Sequence, residues 1–163
     1  MTKDENKDVI DIEEIKEVRP GRKGDGGVYL VVADDTEEFD VALRYAARRA
    51  ETHRAHVGIL YVIDVEDFVH WSNVEDKMRR EMREQAEKFL WDVAKRINDL
   101  NGLRPVVYIR EGSRNDAIVE AVDDDMHIRS LVLAGGTQGS GPGPLVSYFT
   151  GKGLARLRVP VVT

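Results

Sequence analysis

Continuous apolar runs alternate along the chain with longer stretches in which apolar residues recur every three or four positions. Such runs are typical of strands that are buried on both faces. They occupy residues 28–33, 57–63, 106–109, 131–134 and 159–162. After the first run, Phe39, Leu43, Ala46 and Ala50 recur at the spacing of one helix face. The pattern therefore predicts five strands joined by amphipathic helices.

A long helical pattern fills the connection between the second and third runs, and Asn101-Gly102 provides a helix stop. Its apolar residues are Trp71, Val74, Met78, Met82, Ala86, Phe89, Leu90, Val93 and Ile97. A shorter helical pattern over residues 117–122 precedes the fourth run. Because parallel strands need crossover connections, this alternation predicts an α/β fold. We expect a single doubly wound domain, with a five-stranded parallel sheet and helices on both faces.

The first 27 residues do not share this pattern. They are acidic at first and then run into the glycine-rich and charged residues 20–27, a composition that disfavours regular structure. We therefore predict an N-terminal extension or linker over residues 1–27 and one α/β domain over residues 28–163. A length of 163 residues suits one domain with a core on each face of a sheet.

Composition excludes several classes of protein. The chain has no cysteine, which rules out disulfides, thiolate metal sites and a catalytic thiol. A formal charge of −6 argues against a nucleic-acid-binding protein. No apolar run is long enough for a membrane span, and the first ten residues are acidic where a secretory signal would be basic. The expected location is the cytoplasm.

Candidate ligand-binding residues follow three of the predicted strands, where open parallel sheets bind their ligands. Asp34 follows the first strand, Asp64 the second, and the glycine-rich segment 135–144 the fourth. Glycines let backbone N–H groups approach an anion, so phosphate is the expected ligand of this segment. The alternative is a flexible surface loop without a ligand.

Three related nucleotide- or phosphate-handling patterns are absent. Gly151-Lys152 is followed by Gly153 where a P-loop has Ser or Thr, and the first turn, residues 33–36, has no glycine for a dinucleotide pyrophosphate. Asp34-Asp35 is also found in phosphoryl-receiver domains. However, the third strand leads into Arg110-Glu111, where a receiver has its acceptor aspartate. For Asp35 and Thr36 we expect helix capping.

Motifs over residues 28–163 make the chain similar to the universal stress protein family. These are Asp34 after the first strand, Tyr-Val-Ile-Asp at 61–64, Gly112 before the third helix, and Gly136-x-x-Gly139 after the fourth strand. The resemblance implies that Asp34 and Val62 contact adenine, and that the residues near phosphate are Gly136, Gly139, Ser140 and Thr150. It also implies ATP as the ligand, with magnesium, and a regulatory role in the stress response.

This sequence departs from the family pattern at one position. A glycine and then Ser or Thr should follow the nine residues after Gly139, but Phe149 and then Thr150 stand there. Phe149 would place a ring where the backbone should approach phosphate oxygens. The alternative function is therefore a dimeric interaction module of the same fold that does not bind nucleotide. Family members dimerise through the last strand, so the resemblance implies a homodimer.

No catalytic residue is predicted. Ser113, Ser140 and Ser147 have no histidine beside them in sequence, and nothing else suggests more than slow, incidental nucleotide hydrolysis. The four histidines, His53, His56, His70 and His127, are too scattered to predict a metal site. The expectation is a binding protein and not an enzyme.

Overall fold

The computed structural model describes residues 26–34, 36–64, 75–136, 139 and 141–163. The strands are β1 (Val28–Val32), β2 (His56–Ile63), β3 (Val106–Glu111), β4 (Ile128–Val132) and β5 (Val161–Val162). The helices are α1 (Glu37–His53), α2 (Glu75–Asn101), α3 (Arg114–Asp124) and α4 (Gly143–Phe149), and Leu154–Arg156 forms a 3₁₀ turn. Trp71 and Val74, predicted for the long helix, lie outside the described residues.

The five strands form one parallel sheet in the order β3-β2-β1-β4-β5. The predicted fold class is confirmed. From β1 the chain builds outwards through β2 to β3, and it then returns past β1 to place β4 and β5 on the other side. The strand order therefore reverses between β1 and β4, a point where doubly wound sheets open a crevice.

Two apolar cores cover the two faces of the sheet, because alternate side chains of each strand point to opposite faces. On one face, α1 and α2 pack on the sheet through a cluster that includes Val31, Ile59, Leu43, Leu90 and Ile97. On the other face, α3 and α4 pack through a cluster that includes Leu30, Leu60, Ile118, Leu131 and Phe149. Burial on both faces accounts for the continuous apolar runs in the sequence.

The last two strands differ in length from their predicted runs. β4 begins at Ile128 and not at residue 131, because its backbone pairs with β1 from Ile128 onwards. The apolar run begins later than the strand, since Arg129 is exposed and interrupts it. β5 has only Val161 and Val162. Pro160 has no N–H to donate, and its carbonyl accepts a hydrogen bond from the Leu131 N–H at 3.0 Å.

Tyr108 of β3 joins the sheet to the end of α3. Its ring lies over Gly58, where an added Cβ would be 3.0 Å from the ring, and its hydroxyl donates to Asp125 at 2.7 Å. Burial, and then the bond to Asp125, raise the pKa of Tyr108 above its ordinary value. Burial alone would also raise the pKa of Asp125, but hydrogen bonds from Tyr108 and from the backbone and ring of His127 hold it below its ordinary value.

Phe149 ends α4 and is fully buried in the core between that helix and the sheet. Its ring meets the ring of Tyr148 edge-on, with the two centroids 4.9 Å apart. The expectation that this ring stands where phosphate oxygens would be approached is therefore wrong. The side chain points into the apolar interior and fills volume there.

Replacing Tyr108 by Phe should lower the free energy of unfolding by about 1.5–3 kcal/mol at pH 7, because the lost hydrogen bond has a charged acceptor. The depressed pKa of Asp125 stabilises the fold above the unfolded-state value of about 3.9, and this contribution is lost as pH falls through the folded pKa. The variant should therefore lose less stability than the wild type between pH 5 and pH 2. Urea unfolding across this range measures both effects, with Tyr45→Phe on the exposed face of α1 as control.

Phe149→Gly, which restores the glycine of the family pattern, should destabilise the fold. Truncating a buried phenylalanine to alanine costs about 3–5 kcal/mol, and glycine in a helix costs about 1 kcal/mol more. Urea unfolding of Phe149→Gly beside Phe149→Leu, which keeps most of the apolar volume, tests this. Equal stability of the glycine variant and the wild type would contradict the buried position of the ring.

Candidate functional site

A cleft of about 340 Å³ opens at the carboxyl ends of β1 and β4. It lies where the strand order reverses, the place at which open α/β sheets bind ligands. Residues from the end of β1, the first turns of α1, the start of α3, the end of β4 and the start of α4 line it. The sheet therefore brings together chain segments that are far apart in sequence.

Asp34 and Arg114 lie next to each other at the mouth of this cleft. Asp34 follows β1, and its Oδ1 accepts hydrogen bonds from the N–H of Thr36 at 3.1 Å and from the Thr36 hydroxyl. The same hydroxyl accepts from the N–H of Phe39, so Thr36 caps α1 as predicted. Arg114 Nη1 lies 3.8 Å from Asp34 Oδ2. At that distance the two charges attract each other without a direct hydrogen bond.

Apolar side chains form most of the walls of the cleft. Phe39 and Ala42 come from the buried face of α1, Leu133 from the residues after β4, and Val146 from α4. Two charged side chains from the first turns of helices, Glu38 and Arg114, complete the rim together with Asp34. Apolar walls with a few polar groups at one end suit a flat ring that carries a polar edge.

The glycine-rich segment supplies one side of the cleft through Gly136 and residues 142–146. α4 begins at Gly143, at the end of the glycine-rich segment. Gly143 has φ of +78°, a conformation that favours glycine. Pro142 and Pro144 have no N–H, so neither offers a backbone donor to an anion at the start of α4.

A polar network behind the cleft holds the start of α3 against the end of α4. Asp116 accepts hydrogen bonds from Ser113 at 2.8 Å and from Arg156 at 2.8 Å, and these bonds hold its pKa below the ordinary value. Arg156 also donates to the hydroxyl of Tyr148 at 2.8 Å, which raises the pKa of the guanidinium. The network therefore helps to fix the position of Arg114, two residues before Asp116.

The structure brings together two of the predicted site residues, Asp34 and Gly136. Among the described residues, Val62, Gly139 and Thr150 do not line the cleft. Val62 packs partly buried against the α3 and α4 core, Gly139 is exposed with φ of +80°, and the Thr150 hydroxyl donates to the carbonyl of Val146 at 2.6 Å. Ser140 lies outside the described residues.

Sequence reasoning missed Arg114 and the apolar walls. Arg114 comes three residues after β3 ends at Glu111, so the rule that directed attention to the ends of strands could have found it. Phe39 was interpreted as core, which is correct, but its position in the first turn of α1 also exposes one side to the cleft. Spacing along a helix could not have indicated this second contact.

The described part of the cleft combines apolar walls with the charged side chains of Asp34, Glu38 and Arg114. Among its described lining residues the only hydroxyl is that of Thr36, which already donates to Asp34 and accepts from the N–H of Phe39. Over the described ranges, no three histidine, aspartate or glutamate side chains come together to hold a metal ion. No helix within those ranges is long and apolar enough to cross a membrane.

Comparison with known proteins relates both sequence and fold to one family. Residues 29–161 match the universal stress protein family, whereas no curated protein sequence matches the chain. Similar solved structures include a universal stress protein UspA from Lactobacillus plantarum, with a TM-score of 0.67 and 17% identity over 83% of this chain and 95% of that one. One from Burkholderia pseudomallei has a TM-score of 0.63 and 19% identity, over 83% and 93%.

A third similar structure is a universal stress protein in complex with cAMP, with a TM-score of 0.51 and 17% identity over 83% of this chain and 94% of that one. Identities this low establish a shared fold and nothing finer. The sequence match is independent of them and spans nearly all of the α/β region. The chain therefore belongs to the universal stress protein family.

Proposed function

We propose that this protein is a regulatory module that binds an adenine nucleotide, ATP with magnesium, in the cleft between β1 and β4. Its role would be in the stress response, and its location the cytoplasm. The protein would act through the bound and free states of this cleft and not through turnover. Family membership supports the general role, and the geometry of the cleft supports the choice of ligand.

The observation that carries the proposal is the pairing of Asp34 with Arg114 at the mouth of an apolar cleft. A carboxylate can accept a hydrogen bond from the exocyclic amine of adenine, and a guanidinium can donate to phosphate oxygens. The apolar side chains that line the rest of the cleft suit the faces of a purine ring. Because the two charges lie 3.8 Å apart, a bound nucleotide would draw Arg114 away from Asp34, with the base amine on the carboxylate and the phosphates on the guanidinium.

Whether the other predicted residues would contact the ligand depends on how far it extends beyond the cleft. Gly136 lines the cleft, and Gly139 and Ser140 follow it in the same glycine-rich segment, so these three would meet the phosphates. Val62, at the end of β2, and Thr150, just after α4, would be reached only by parts of the ligand that extend beyond the cleft. Magnesium would be held mainly by the phosphates, as is usual for this ion.

The solved relative that contains cAMP supports an adenine nucleotide as the class of ligand. That protein is similar to this chain in fold, and its ligand carries the adenine ring and phosphate that the cleft chemistry suits. A cyclic monophosphate is therefore a reasonable second ligand to test beside ATP.

A second candidate function is the dimeric interaction module. The sequence favours it because Phe149 replaces a glycine of the family's phosphate-binding pattern, although the ring is buried in the core and does not line the cleft. The two-residue strand β5 lies at the edge of the sheet and would pair with a second copy to form a homodimer. Pro160 removes one donor and limits the register of such pairing.

Isothermal titration of ATP with magnesium tests the first proposal, and Asp34→Asn identifies the site. The variant keeps an acceptor for Thr36 but loses the charge, so ATP affinity should fall about 10- to 100-fold. The control is Asp123→Asn, which removes an exposed carboxylate of α3 outside the cleft. Absence of binding in the wild type, with a dimeric mass by sedimentation, would favour the interaction module.

Arg114→Gln should separate the phosphate end of the site from the base end. Loss of one guanidinium–phosphate pair should weaken ATP binding by about tenfold or more and leave adenosine binding unchanged. Arg48→Gln, which removes an exposed arginine of α1 that does not line the cleft, is the matched control. An equal loss for ATP and adenosine would mean that Arg114 supports the cleft structurally and does not bind phosphate.

A further inference from the structure

A second concave surface, which we call the α1–α2 groove, lies between two helices and shares no lining residue with the nucleotide cleft. It is a cavity of about 470 Å³. Leu43 and Ala47 of α1 line one side, and Ile97 of α2 lines the other. These three side chains also belong to the buried core beneath the two helices. The floor of the α1–α2 groove is therefore apolar and suits an apolar side chain from outside.

Leu100 lies at the edge of the same groove, in the last turn of α2. Its exposed fraction is 69%, the largest of any large apolar side chain that the structure describes. A single exposed leucine is ordinary on a protein surface. This one stands beside an apolar cavity, so one surface carries both a projecting apolar side chain and a recess that suits it.

Four charged side chains border the α1–α2 groove, two of each sign. Asp40 and Arg96 neutralise each other, with Arg96 Nη2 2.6 Å from Asp40 Oδ1. Arg44 and Asp99 have no partner of opposite charge among the described residues, and Arg44 Nε donates only to the carbonyl of Asp40 at 3.3 Å. The groove is therefore neutral as a whole, but it leaves one cation on α1 and one anion on α2 without a charge partner.

These features suit one occupant, a second copy of the same surface. In a two-fold symmetric contact the same patch meets itself, so every pairing of one residue with another occurs twice. A patch of a single charge sign would repel its own image, whereas Arg44 of each copy can meet Asp99 of the other. In the same arrangement Leu100 of each copy enters the groove of the other, as an apolar anchor in a pocket. A strongly acidic or basic partner would find no surplus of opposite charge here.

We propose that two copies of this chain associate through their α1–α2 grooves, with Leu100 as the apolar anchor and Arg44–Asp99 pairs on either side of the two-fold axis. This interface differs from pairing of the β5 edges, because only α1 and α2 contribute to it and β5 lines no part of the groove. It lies on a helical face of the domain. A chain that used both contacts would join dimers into larger assemblies.

Charge reversal with mixing tests this interface by sedimentation velocity of the full chain over a range of concentrations. Arg44→Glu and Asp99→Arg, made separately, each place like charges in both cross-pairs, so self-association should weaken at least tenfold. An equimolar mixture of the two variants should recover association, because their heterodimer regains two opposite-charge pairs. Arg49→Glu and Asp92→Arg are the matched controls, since they make the same charge changes at exposed positions of the same helices outside the groove.

Leu100→Ser should also weaken self-association severalfold, whereas Met126→Ser, at a side chain that is 64% exposed and outside the groove, should not. A wild type that stays monomeric at every concentration would overturn the proposal. Association that none of the groove variants weakens would overturn it too, because another surface such as the β5 edge would then hold the copies together. Failure of the mixture to recover association would exclude the two-fold pairing. None of these positions lines the nucleotide cleft, so the result does not depend on nucleotide binding.

Discussion

The pairing of β1 with both β2 and β4 is the constraint on which the candidate site depends. β1 lies at the centre of the sheet and bonds to a neighbour on each side, and the N–H of Ala33 still donates to Leu60 at 2.7 Å beyond its last strand residue. The carboxyl end of β1 is therefore held firmly, and Asp34 leaves it in a fixed direction. Because the strand order reverses beside it, the helices on either side diverge and leave room for a ligand.

The fold was predictable because a sheet covered on both faces requires apolar side chains in both directions. The runs at residues 28–33 and 57–63 follow this rule and correspond closely to β1 and β2. The rule fails where one residue of a strand is exposed to solvent, as Arg129 is in β4. It also predicts too long a β5, because the residues around Pro160 are apolar but Pro160 has no N–H to donate to the sheet.

The candidate site was only partly predictable from sequence. Asp34 and Gly136 were found because both follow buried strands, and that relation depends on topology alone. Arg114 and Phe39 contribute from the first turns of helices, and their contacts depend on how far those helices splay at the strand reversal. Phe149 was assigned to the phosphate from its place in a motif, but the direction of a helical side chain follows from packing, which buried this ring in the core.

The Thr36 hydroxyl serves two structures at once, since it is bonded to Asp34 in the cleft and to the first turn of α1. The geometry of the cleft and the first turn of a core helix therefore depend on one oxygen atom. A change that retunes the cleft for another ligand also alters the free energy of the helix it begins, so selection for specificity cannot act on Asp34 or Thr36 without also acting on stability. Drift in ligand preference should instead accumulate at lining residues that are exposed and outside both cores, as at Pro142 and Pro144.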